Sequence, residues 1–284
     1  MIGCVVVTQG RRPDELAAAL ASLEAQRGVE LAVVVVANGW EPTGLPDRVR
    51  AVALAGNRGA AGGRNAGAGT VGGELLFFLD DDARLAEPDA LSRVAARFAA
   101  DPELGLLQLG VEPSDGGRPP RDWVPRLRVG DRRRSSEVTA VWEGAVAIRR
   151  ALFERIGGWP EAFGISHEGI DLAWRVMDSG HAVVYAGDIT ALHPAYAPAS
   201  RDYSPYVGAR NRVYLARRHL PWPLGPLYVA SFALRSLPLL RTRERARAAL
   251  RGYRDGLRMP CGPRRPLRAR TLWRMIRAGR PPIV

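Results

Sequence analysis

The stretch LLFFLDDD, residues 75–82, places three aspartates directly after five large apolar side chains. An uninterrupted apolar run of this length is typical of a strand buried in an α/β sheet, and such sheets bind ligands beyond the carboxyl ends of their strands. Because side chains alternate along an extended chain, we expect Asp80 and Asp82 to point to one side and Asp81 to the other. Two carboxylates on one side suit Mg²⁺ or Mn²⁺, whereas a solvated acidic turn is the alternative without a ligand.

The composition is that of a soluble globular protein. The chain has 284 residues, of which 46% are hydrophobic and 25% charged, so we expect one large domain or one domain with an appendage. Only two cysteines occur, Cys4 and Cys261, which argues against a disulfide framework and a zinc knuckle and favours a reducing cytoplasm. Residues 1–7, MIGCVVV, lack the basic segment of a signal peptide and predict the first strand.

Apolar runs alternate with helical patterns along the first hundred residues. The predicted strands are residues 5–7, 31–36, 49–54 and 75–79, and the predicted helices are residues 13–25, a helix ending near residues 66–69, and residues 88–100. This rhythm predicts an α/β fold with a largely parallel central sheet and helices on both faces. Further along we expect a long mobile loop at residues 112–136, an apolar run at 138–148, helices at 150–156 and 170–179, and a last strand at 181–185.

The positive charge is concentrated near the C-terminus. The net charge is +12, yet residues 216–284 hold 17 arginines against two acidic residues and carry +15, which leaves −3 for residues 1–215. We therefore predict an α/β domain at 1–215 and an arginine-rich helical extension at 216–284, with an apolar stretch at 227–240 followed by helices at 241–258 and 267–277. The apolar stretch is too short for a comfortable membrane span and contains Arg235 and Pro238.

Two interpretations of this extension remain open. Apolar and aromatic residues interleaved with arginines are typical of helices that lie on an anionic membrane surface. The same pattern arises when the helices pack their apolar sides on the domain and expose their arginines. Nucleic acid is not expected as a partner, because no recognition motif accompanies the basic residues.

Residues 57–67, NRGAAGGRNAG, predict a glycine-rich turn that leads into a helix. Glycine permits close approach of the backbone to a ligand, and a helix N-terminus favours an anionic phosphate. Arg58 and Arg64 offer guanidinium groups for phosphate oxygens. A flexible connection would use the same residues, but the position shortly before the aspartates favours phosphate binding.

Residues 166–175, SHEGIDLAWR, place two further carboxylates near the start of a predicted helix. Glu168 and Asp171 are three residues apart and therefore lie within one helical turn of each other. One can act as a general base while the other caps the helix or pairs with Arg175, four residues beyond Asp171. We favour the structural role for Asp171 and the chemical role for Glu168, which we place in the loop before the helix.

In their order and spacing these motifs resemble the family 2 glycosyltransferases, which have the GT-A fold, depend on nucleotide sugars and usually invert the anomeric centre. The resemblance covers roughly residues 1–215. The segments that carry it are the first strand with Thr8, residues 36–39 (VANG), 57–67, 79–82 (LDDD), 156–159 (IGGW) and 168–175.

The resemblance implies a role for each of these segments. Asp80 would approach the ribose or a metal-bound water, and Asp82 would bind a metal ion, Mn²⁺ or Mg²⁺, which neutralises the leaving diphosphate. Glu168 would take the proton from the acceptor hydroxyl, with Asp171 beside it as the second catalytic candidate. His193, in the sequence LHP, is a further metal or phosphate candidate. The residues implied to surround the nucleotide sugar are Thr8, Gln9, Gly10, Asn38, Asn57, Arg58, Gly59, Gly63, Arg64, Asp80 and Asp81.

The sequence departs from the family pattern at two positions. Ala37 stands where many relatives have an aspartate that touches the base or ribose, so the identity of the nucleobase does not transfer. Gly169 stands at the usual position of the catalytic aspartate. Either the longer side chain of Glu168 takes over, or the protein is a degenerate binding or assembly protein; the intact aspartate triplet favours the first.

The expected function is that of a metal-dependent inverting glycosyltransferase of hexosyltransferase type. It would move a sugar from a nucleotide-diphosphate sugar to a hydroxyl of a lipid-linked or cell-envelope glycan or of a small molecule, in the cytoplasm or as a peripheral membrane protein on the inner face of the cell membrane. A nucleotidyltransferase is disfavoured, because residues 9–13, QGRRP, make a poor phosphate-binding loop. A dinucleotide-dependent oxidoreductase is disfavoured more strongly, because no Gly-x-Gly-x-x-Gly follows the first strand.

Overall fold

The computed structural model describes residues 1–46, 49–125, 127, 130–195 and 204–282. Within these residues the chain forms one nine-stranded sheet flanked by α-helices. The strands are β1 (Ile2–Thr8), β2 (Leu31–Asn38), β3 (Arg50–Leu54), β4 (Leu75–Asp80), β5 (Arg84–Leu85), β6 (Leu104–Pro113), β7 (Ser136–Glu137), β8 (Ala145–Arg149) and β9 (Ala182–His193). The helices are α1 (Pro13–Glu24), α2 (Gly59–Ala68), α3 (Ala90–Ala100), α4 (Arg150–Ile156), α5 (Glu168–Asp178), α6 (Pro205–His219), α7 (Leu224–Ser236), α8 (Arg243–Arg258) and α9 (Ala269–Arg277).

The sheet has the strand order β3-β2-β1-β4-β8-β6-β9-β5, and β7 pairs with β9. The pairs β3–β2, β2–β1, β1–β4 and β6–β9 are parallel, whereas β8 is antiparallel to both of its neighbours and β5 and β7 are antiparallel to β9. The predicted α/β fold with a central sheet is therefore confirmed, and the sheet is mixed. For β8 to run parallel to β6, the chain between them would have to cross over the sheet, usually as a helix. The described residues between Pro113 and Ser136 contain no helix or strand, as the predicted loop required, so the chain re-enters the sheet in the opposite direction; residues 126, 128 and 129 of that loop lie outside the described part.

Strand β4 is buried on both faces, as its apolar run predicted. Phe78 packs in a core cluster with Val5 of β1 and with side chains of α2, α4 and α5, whereas Phe77 packs in a second cluster with Val6 and with side chains of α1 and α3. Neighbouring residues enter different clusters because side chains alternate across a strand. Burial of this central strand fixes the position of the aspartates that follow it.

Helix α2 lies unusually close to the sheet. A Cβ atom on Gly67 would lie 2.4 Å from Cγ1 of Val5, and one on Gly63 would lie 2.5 Å from Cγ1 of Val7. Only glycine at these positions allows this approach, because packed interiors leave no spare volume. The close contact holds Arg64, which lies between the two glycines, beside the carboxyl ends of β1 and β4.

The C-terminal helices share the core of the domain. Helix α6 continues across the boundary that the sequence predicted between residues 215 and 216, and Leu215, Tyr228, Leu267 and Met275 belong to the core cluster that also contains α5. Part of the apolar surface nevertheless stays exposed, for example Leu234 at 66%. Over the described residues, no helix combines the length and the apolarity that a membrane crossing requires.

Candidate functional site

A large cleft of about 2430 Å³ opens at the carboxyl ends of β1, β2 and β4. Thr8, Asn38 and Asp80, the last residues of these three strands, line it. The cleft also reaches Tyr228 of α7 and Met275 of α9. The strand ends that the sequence predicted as ligand-binding therefore open into one cavity, and its far wall comes from the arginine-rich extension.

The three aspartates lie in a turn. Strand β4 ends at Asp80, and the backbone N–H of Ala83 donates to the Asp80 carbonyl oxygen at 3.0 Å. A carboxylate oxygen of Asp80, one of Asp82 and a ring nitrogen of His193 lie within 4.8 Å of one another. Asp80 and Asp82 thus converge as predicted, but the turn, not strand alternation, brings them together.

His193 is the last residue of β9, which is longer than the strand predicted at 181–185. Its Nδ1 lies 2.9 Å from the carbonyl oxygen of Pro194, which can only accept, so Nδ1 carries a hydrogen. Its Nε2 lies 3.1 Å from Oδ1 of Asp82. Burial tends to lower the pKa of His193, but the hydrogen bond and charge of Asp82 and the charge of Asp80 raise it above its usual value.

This donor set fits a divalent cation. When the imidazole is neutral and carries its hydrogen on Nδ1, Nε2 is the nitrogen that can bind a metal ion, and it lies within 4.8 Å of a carboxylate oxygen of Asp80 and one of Asp82. A metal-binding histidine commonly has its other nitrogen fixed by a carbonyl oxygen in this way. Asp80, Asp82 and His193 are therefore the residues that would hold Mn²⁺ or Mg²⁺.

Asp81 points to the β1 side of the turn. Its Oδ2 accepts from Oγ1 of Thr8 at 2.6 Å, and its Oδ1 accepts from Nη2 of Arg12 at 2.9 Å. Burial raises the pKa of Asp81 to about 6, against the lowering effects of Thr8 and Arg12. Arg12 also contacts Asp82 through Nη1. Sequence analysis missed Arg12, because its pairing with an aspartate 69 positions away has no local signature.

Arg64 is buried and connects the aspartates to α5. Its Nη2 donates to Oδ1 of Asp80 at 2.7 Å, its Nη1 lies 3.8 Å from Oε1 of Glu168, and its guanidinium lies 4.9 Å from the ring centroid of Trp159. Burial tends to lower the pKa of Arg64, but the carboxylates of Asp80, Glu168 and Glu143 raise it above its usual value. The guanidinium therefore stays charged in the cleft wall.

The turn before α2 is held by the side chain of Asn38. Its Oδ1 accepts from the backbone N–H of Arg58 at 2.8 Å, and its Nδ2 donates to the carbonyl oxygen of Gly59 at 2.9 Å. Arg58 itself points outwards and pairs with Glu161 at 2.9 Å. Arg58 and Arg64 were predicted to have the same phosphate-binding role, but only Arg64 lines the cleft.

Glu168 is the first residue of α5, not part of the preceding loop as predicted. It is 3% exposed, and its Oε2 is buried without a hydrogen-bond partner. Burial and then the charge of Glu143 raise the pKa of Glu168 well above its usual value, against the lowering effect of Arg64.

Glu143 is a carboxylate of the cleft that sequence analysis missed. It precedes β8, lines the cleft, and accepts a hydrogen bond from the backbone N–H of Gly169 at 2.7 Å. Burial raises the pKa of Glu143, against the lowering effects of Arg64 and the Gly169 N–H. The available signal was an acidic residue inside the apolar run predicted at 138–148.

Asp171 does not have the environment of a catalytic residue, in contrast to its place in the predicted catalytic pair. It is completely buried, and its Oδ2 accepts from Nε of Arg175 at 2.7 Å, the i,i+4 pair that the spacing predicted. Its Oδ1 accepts from Nε of Arg218 at 2.8 Å and lies 2.6 Å from Nε2 of His219. Burial tends to raise the pKa of Asp171, but Arg175, His219 and Arg218 lower it below its usual value. A carboxylate surrounded by these groups is a structural anion.

The cleft brings most of the predicted site residues together. Those that line it are Thr8, Gln9, Asn38, Asn57, Gly59, Arg64, Asp80, Asp81, Asp82, Glu168 and His193. Gly10, Arg58, Gly63 and Asp171 lie outside its lining. Gly10 and Gly63 contribute to the site indirectly. The Gly10 N–H donates to Oγ1 of Thr8 at 3.0 Å, and Gly63 allows α2 to approach β1 closely.

Comparison with solved structures identifies the fold as that of glycosyltransferases. TarS 1-349 from S. aureus, solved with UDP-GlcNAc, has a TM-score of 0.64 and 17% identity, covering 90% of this chain and 80% of that one. The mannosyltransferase PcManGT from Pyrobaculum calidifontis, solved with GDP-Man and Mn²⁺, has a TM-score of 0.60 and 17% identity, covering 90% and 87%. The chain thus has the GT-A fold of these glycosyltransferases.

The sequence itself places the chain more narrowly. Residues 4–157 match the family described as Glycosyl transferase family 2, and the chain belongs to that family. The N-acetylglucosaminyl-diphospho-decaprenol L-rhamnosyltransferase of Mycobacterium tuberculosis is 28% identical over 141 residues, which are 48% of this chain and 45% of that protein. The chain thus spans less than half the length of the curated relatives it matches here. The predicted resemblance to the family 2 glycosyltransferases is confirmed.

Proposed function

We propose that the chain transfers a sugar from a nucleotide-diphosphate sugar to an acceptor hydroxyl with inversion, and that it requires a divalent cation at Asp80, Asp82 and His193. The observation that carries this proposal is the convergence of their ligand atoms within 4.8 Å at the edge of the cleft. When bound, Mn²⁺ or Mg²⁺ would neutralise the negative charge that builds up on the departing diphosphate. The neighbours solved with UDP-GlcNAc and with GDP-Man and Mn²⁺ support both the donor class and the metal.

The donor nucleotide would lie at the ends of β1 and β2. Thr8, Gln9, Asn38 and Asn57 line this part of the cleft, and the Asn38 side chain fixes the turn that opens α2. Arg64 keeps its positive charge beside Asp80 and therefore limits the repulsion between the aspartates and an incoming diphosphate.

The acceptor would enter the part of the cleft that is lined by Glu143 and Glu168. Inversion needs one displacement: the acceptor oxygen attacks the anomeric carbon on the face opposite to the diphosphate, and the bond to the diphosphate breaks. The acceptor proton must be removed as this bond forms, which is the work of a carboxylate within hydrogen-bond reach. We assign it to this glutamate pair.

A lipid-linked diphosphate sugar is the acceptor class that best fits the far end of the cleft. Arg212, Arg235 and Arg280 line it together with the aromatic residue Phe232, over whose ring the Arg212 guanidinium stacks at 4.7 Å. Cationic groups suit a diphosphate, and apolar residues suit a lipid chain. The relative from M. tuberculosis carries a diphospho-decaprenol acceptor in its name, which supports this choice.

A lipid-linked acceptor would also require the arginine-rich extension, residues 216–284, to lie at a membrane surface. Leu227 and Leu234 of α7 are exposed on the helix that also lines the cleft, and residues 216–284 carry +15. Exposed apolar residues among arginines favour a surface with anionic lipids. Co-sedimentation with phosphatidylglycerol vesicles, but not with phosphatidylcholine vesicles, is the expected result, and Leu227→Ser/Leu234→Ser should weaken it. Equal recovery of that variant on anionic vesicles would refute the role of α7.

The metal-dependent donor site is tested by thermal unfolding with Mn²⁺ and a panel of UDP-, GDP- and dTDP-sugars. Binding to the folded state raises the apparent unfolding temperature. Wild type should respond to Mn²⁺ and respond further to one donor class, whereas Asp82→Asn should lose both responses. Asp188→Asn is the matched control, because Asp188 pairs with Arg93 and Arg97 on the surface. An Asp82→Asn protein that responds like wild type would refute the metal site.

Turnover separates an enzyme from a binding protein. Release of nucleoside diphosphate from the stabilising donor, with acceptor and Mn²⁺ present, is the expected result. Donor binding without any turnover, across lipid-linked and soluble acceptors, would instead support a degenerate assembly protein.

A further inference from the structure

The backbone of α5 is shaped around the carboxylate of Glu143. Gly169, the second residue of α5, donates its N–H to Oε1 of Glu143 at 2.7 Å. A Cβ atom on residue 169 would lie 2.6 Å from that oxygen and 2.3 Å from the carbonyl oxygen of Val141. The absence of a side chain at position 169 is therefore what gives the Glu143 carboxylate its place in the cleft wall.

We propose that Glu143 is the carboxylate that takes the acceptor proton and that Glu168 is a positioning residue acting through Arg64. This assignment rests on the proposed glycosyl transfer. It separates the two glutamates, which approach the cleft from different elements: Glu143 from the segment before β8, and Glu168 from the first turn of α5.

Accessibility distinguishes the two. A general base must come within hydrogen-bond distance of the acceptor hydroxyl. Both glutamates line the cleft, but Glu143 is partly exposed, and with its Oε1 held by the Gly169 N–H its Oε2 is the oxygen that can reach the acceptor. Glu168 is 3% exposed, and its Oε1 lies 3.8 Å from Nη1 of Arg64. Glu168 is thus buried beside the guanidinium that also bonds Asp80.

The electrostatic surroundings of the two glutamates also favour Glu143 as the base. The charged groups that face Glu143 are Arg64 of α2, Asp80 of β4 and Glu168 of α5. Neighbouring carboxylates that are largely withdrawn from water do not both ionise readily, so one of them keeps a proton. A backbone N–H favours the ionised form of each carboxylate, but Glu143 accepts in addition from the Gly169 N–H, whereas the buried Oε2 of Glu168 has no hydrogen-bond partner. Glu168 therefore holds the proton, and Glu143 carries the negative charge that a base needs.

In the proposed step, proton transfer to Glu143 accompanies a single displacement at the anomeric carbon. The acceptor O–H bond breaks and its proton goes to Oε2 of Glu143, while the acceptor oxygen forms a bond to the anomeric carbon. The bond from that carbon to the diphosphate oxygen breaks, and its electron pair leaves with the nucleoside diphosphate. Because Glu143 is partly exposed, it then returns the proton to water.

Steady-state kinetics of Glu143→Gln and Glu168→Gln test the assignment, with wild type, Mn²⁺, donor and acceptor. Glutamine at 143 can still accept from the Gly169 N–H, so the loop should keep its structure, and donor-induced thermal stabilisation checks this. We expect Glu143→Gln to lower kcat by at least ~100-fold with an unchanged donor KM. Glutamine at 168 resembles the protonated glutamate, so we expect Glu168→Gln to retain kcat within about tenfold and to raise the donor KM through Arg64.

One further variant, and the outcomes that would overturn the assignment, complete the test. Glu143→Asp keeps the carboxylate and should recover part of the kcat lost in Glu143→Gln. Wild-type kcat in Glu143→Gln, or a collapse of kcat confined to Glu168→Gln, would overturn the assignment and leave the proposed glycosyl transfer intact. A wild-type protein that binds donor and Mn²⁺ but turns over no acceptor would overturn both.

Discussion

Asp171 of α5 accepts a hydrogen bond from Nε of Arg218 of α6 at 2.8 Å, and both side chains are buried. The same carboxylate bonds Arg175 within α5 and His219 of α6, while Nη1 of Arg218 donates to the carbonyl oxygen of Cys261 at 2.6 Å. One buried anion thus connects the helix that begins with Glu168 to the C-terminal helices that complete the cleft.

Removal of this anion should destabilise the whole chain. In Asp171→Asn the buried guanidinium groups of Arg175 and Arg218 lose their counter-charge, and breaking a buried ion pair in this way costs about 3–5 kcal/mol. Urea unfolding measures the change. Asp188→Asn, which removes a surface carboxylate paired with Arg93 and Arg97, should change the free energy of unfolding by less than about 1 kcal/mol. Equal stability of the two variants would contradict the structural role of Asp171.

The contribution of Asp171 should also depend on pH in a defined direction. Its pKa in the folded chain lies below the usual 3.8, so the unfolded chain binds the proton first as the pH falls. The stabilisation is therefore fully present above about pH 5 and is lost below the unfolded value. We expect the stability difference between wild type and Asp171→Asn to stay constant between about pH 5 and pH 7 and to shrink below about pH 4. Urea titrations of both proteins at several pH values test this, and a difference that grows towards acid would contradict it.

The sequence predicted the parts of the site that depend on local pattern. The apolar run before Asp80 and the glycine-rich start of α2 have periodic signatures, and both lie where expected. The convergence of Asp82 with His193 depends on β9, whose length the pattern concealed. Gly187 and Asp188 are poor strand residues, so the predicted strand ended at Tyr185. The strand accommodates them as an irregularity, where the partner of Ala186 is Leu109 and the partner of Thr190 is Gly110.

Contacts between distant segments were beyond sequence analysis. The hydrogen bond from Gly169 to Glu143 joins residues 26 positions apart, and that from Arg12 to Asp81 joins residues 69 apart. Neither has a local signature, since each depends on how the loop before β8 and the loop after β1 lie over the sheet edge. Position 169 was recognised as unusual, but the side chain that fills the space beside it became visible only in the fold.

A matched pair of glycine substitutions tests the close packing of α2 on the sheet. In Gly67→Ala the new methyl group would lie 2.4 Å from Cγ1 of Val5, and overpacking of this kind costs about 1–3 kcal/mol. In Gly69→Ala the nearest atom is 3.6 Å away and the backbone is right-handed at φ −72°, so we expect no loss, or a gain of up to about 1 kcal/mol. Thermal and urea unfolding should separate the two variants, and similar stabilities would contradict the close contact between α2 and β1.

Gly169→Ala tests the space that Glu143 occupies. The methyl group would lie 2.3 Å from the Val141 carbonyl oxygen and 2.6 Å from Oε1 of Glu143, so the backbone before β8 and the carboxylate must move. We expect a loss of about 1–3 kcal/mol of stability and a kcat at least ~10-fold below wild type, because a small displacement of a reacting group is sufficient to slow catalysis.

Gly225→Ala is the control, since Gly225 is likewise the second residue of its helix, α7, and the nearest neighbour of its Cβ would lie 3.7 Å away. Donor-induced stabilisation should persist in both variants, because neither glycine lies at the strand ends that would hold the nucleotide. A Gly169→Ala enzyme with wild-type stability and kcat would show that the α5 backbone does not constrain Glu143.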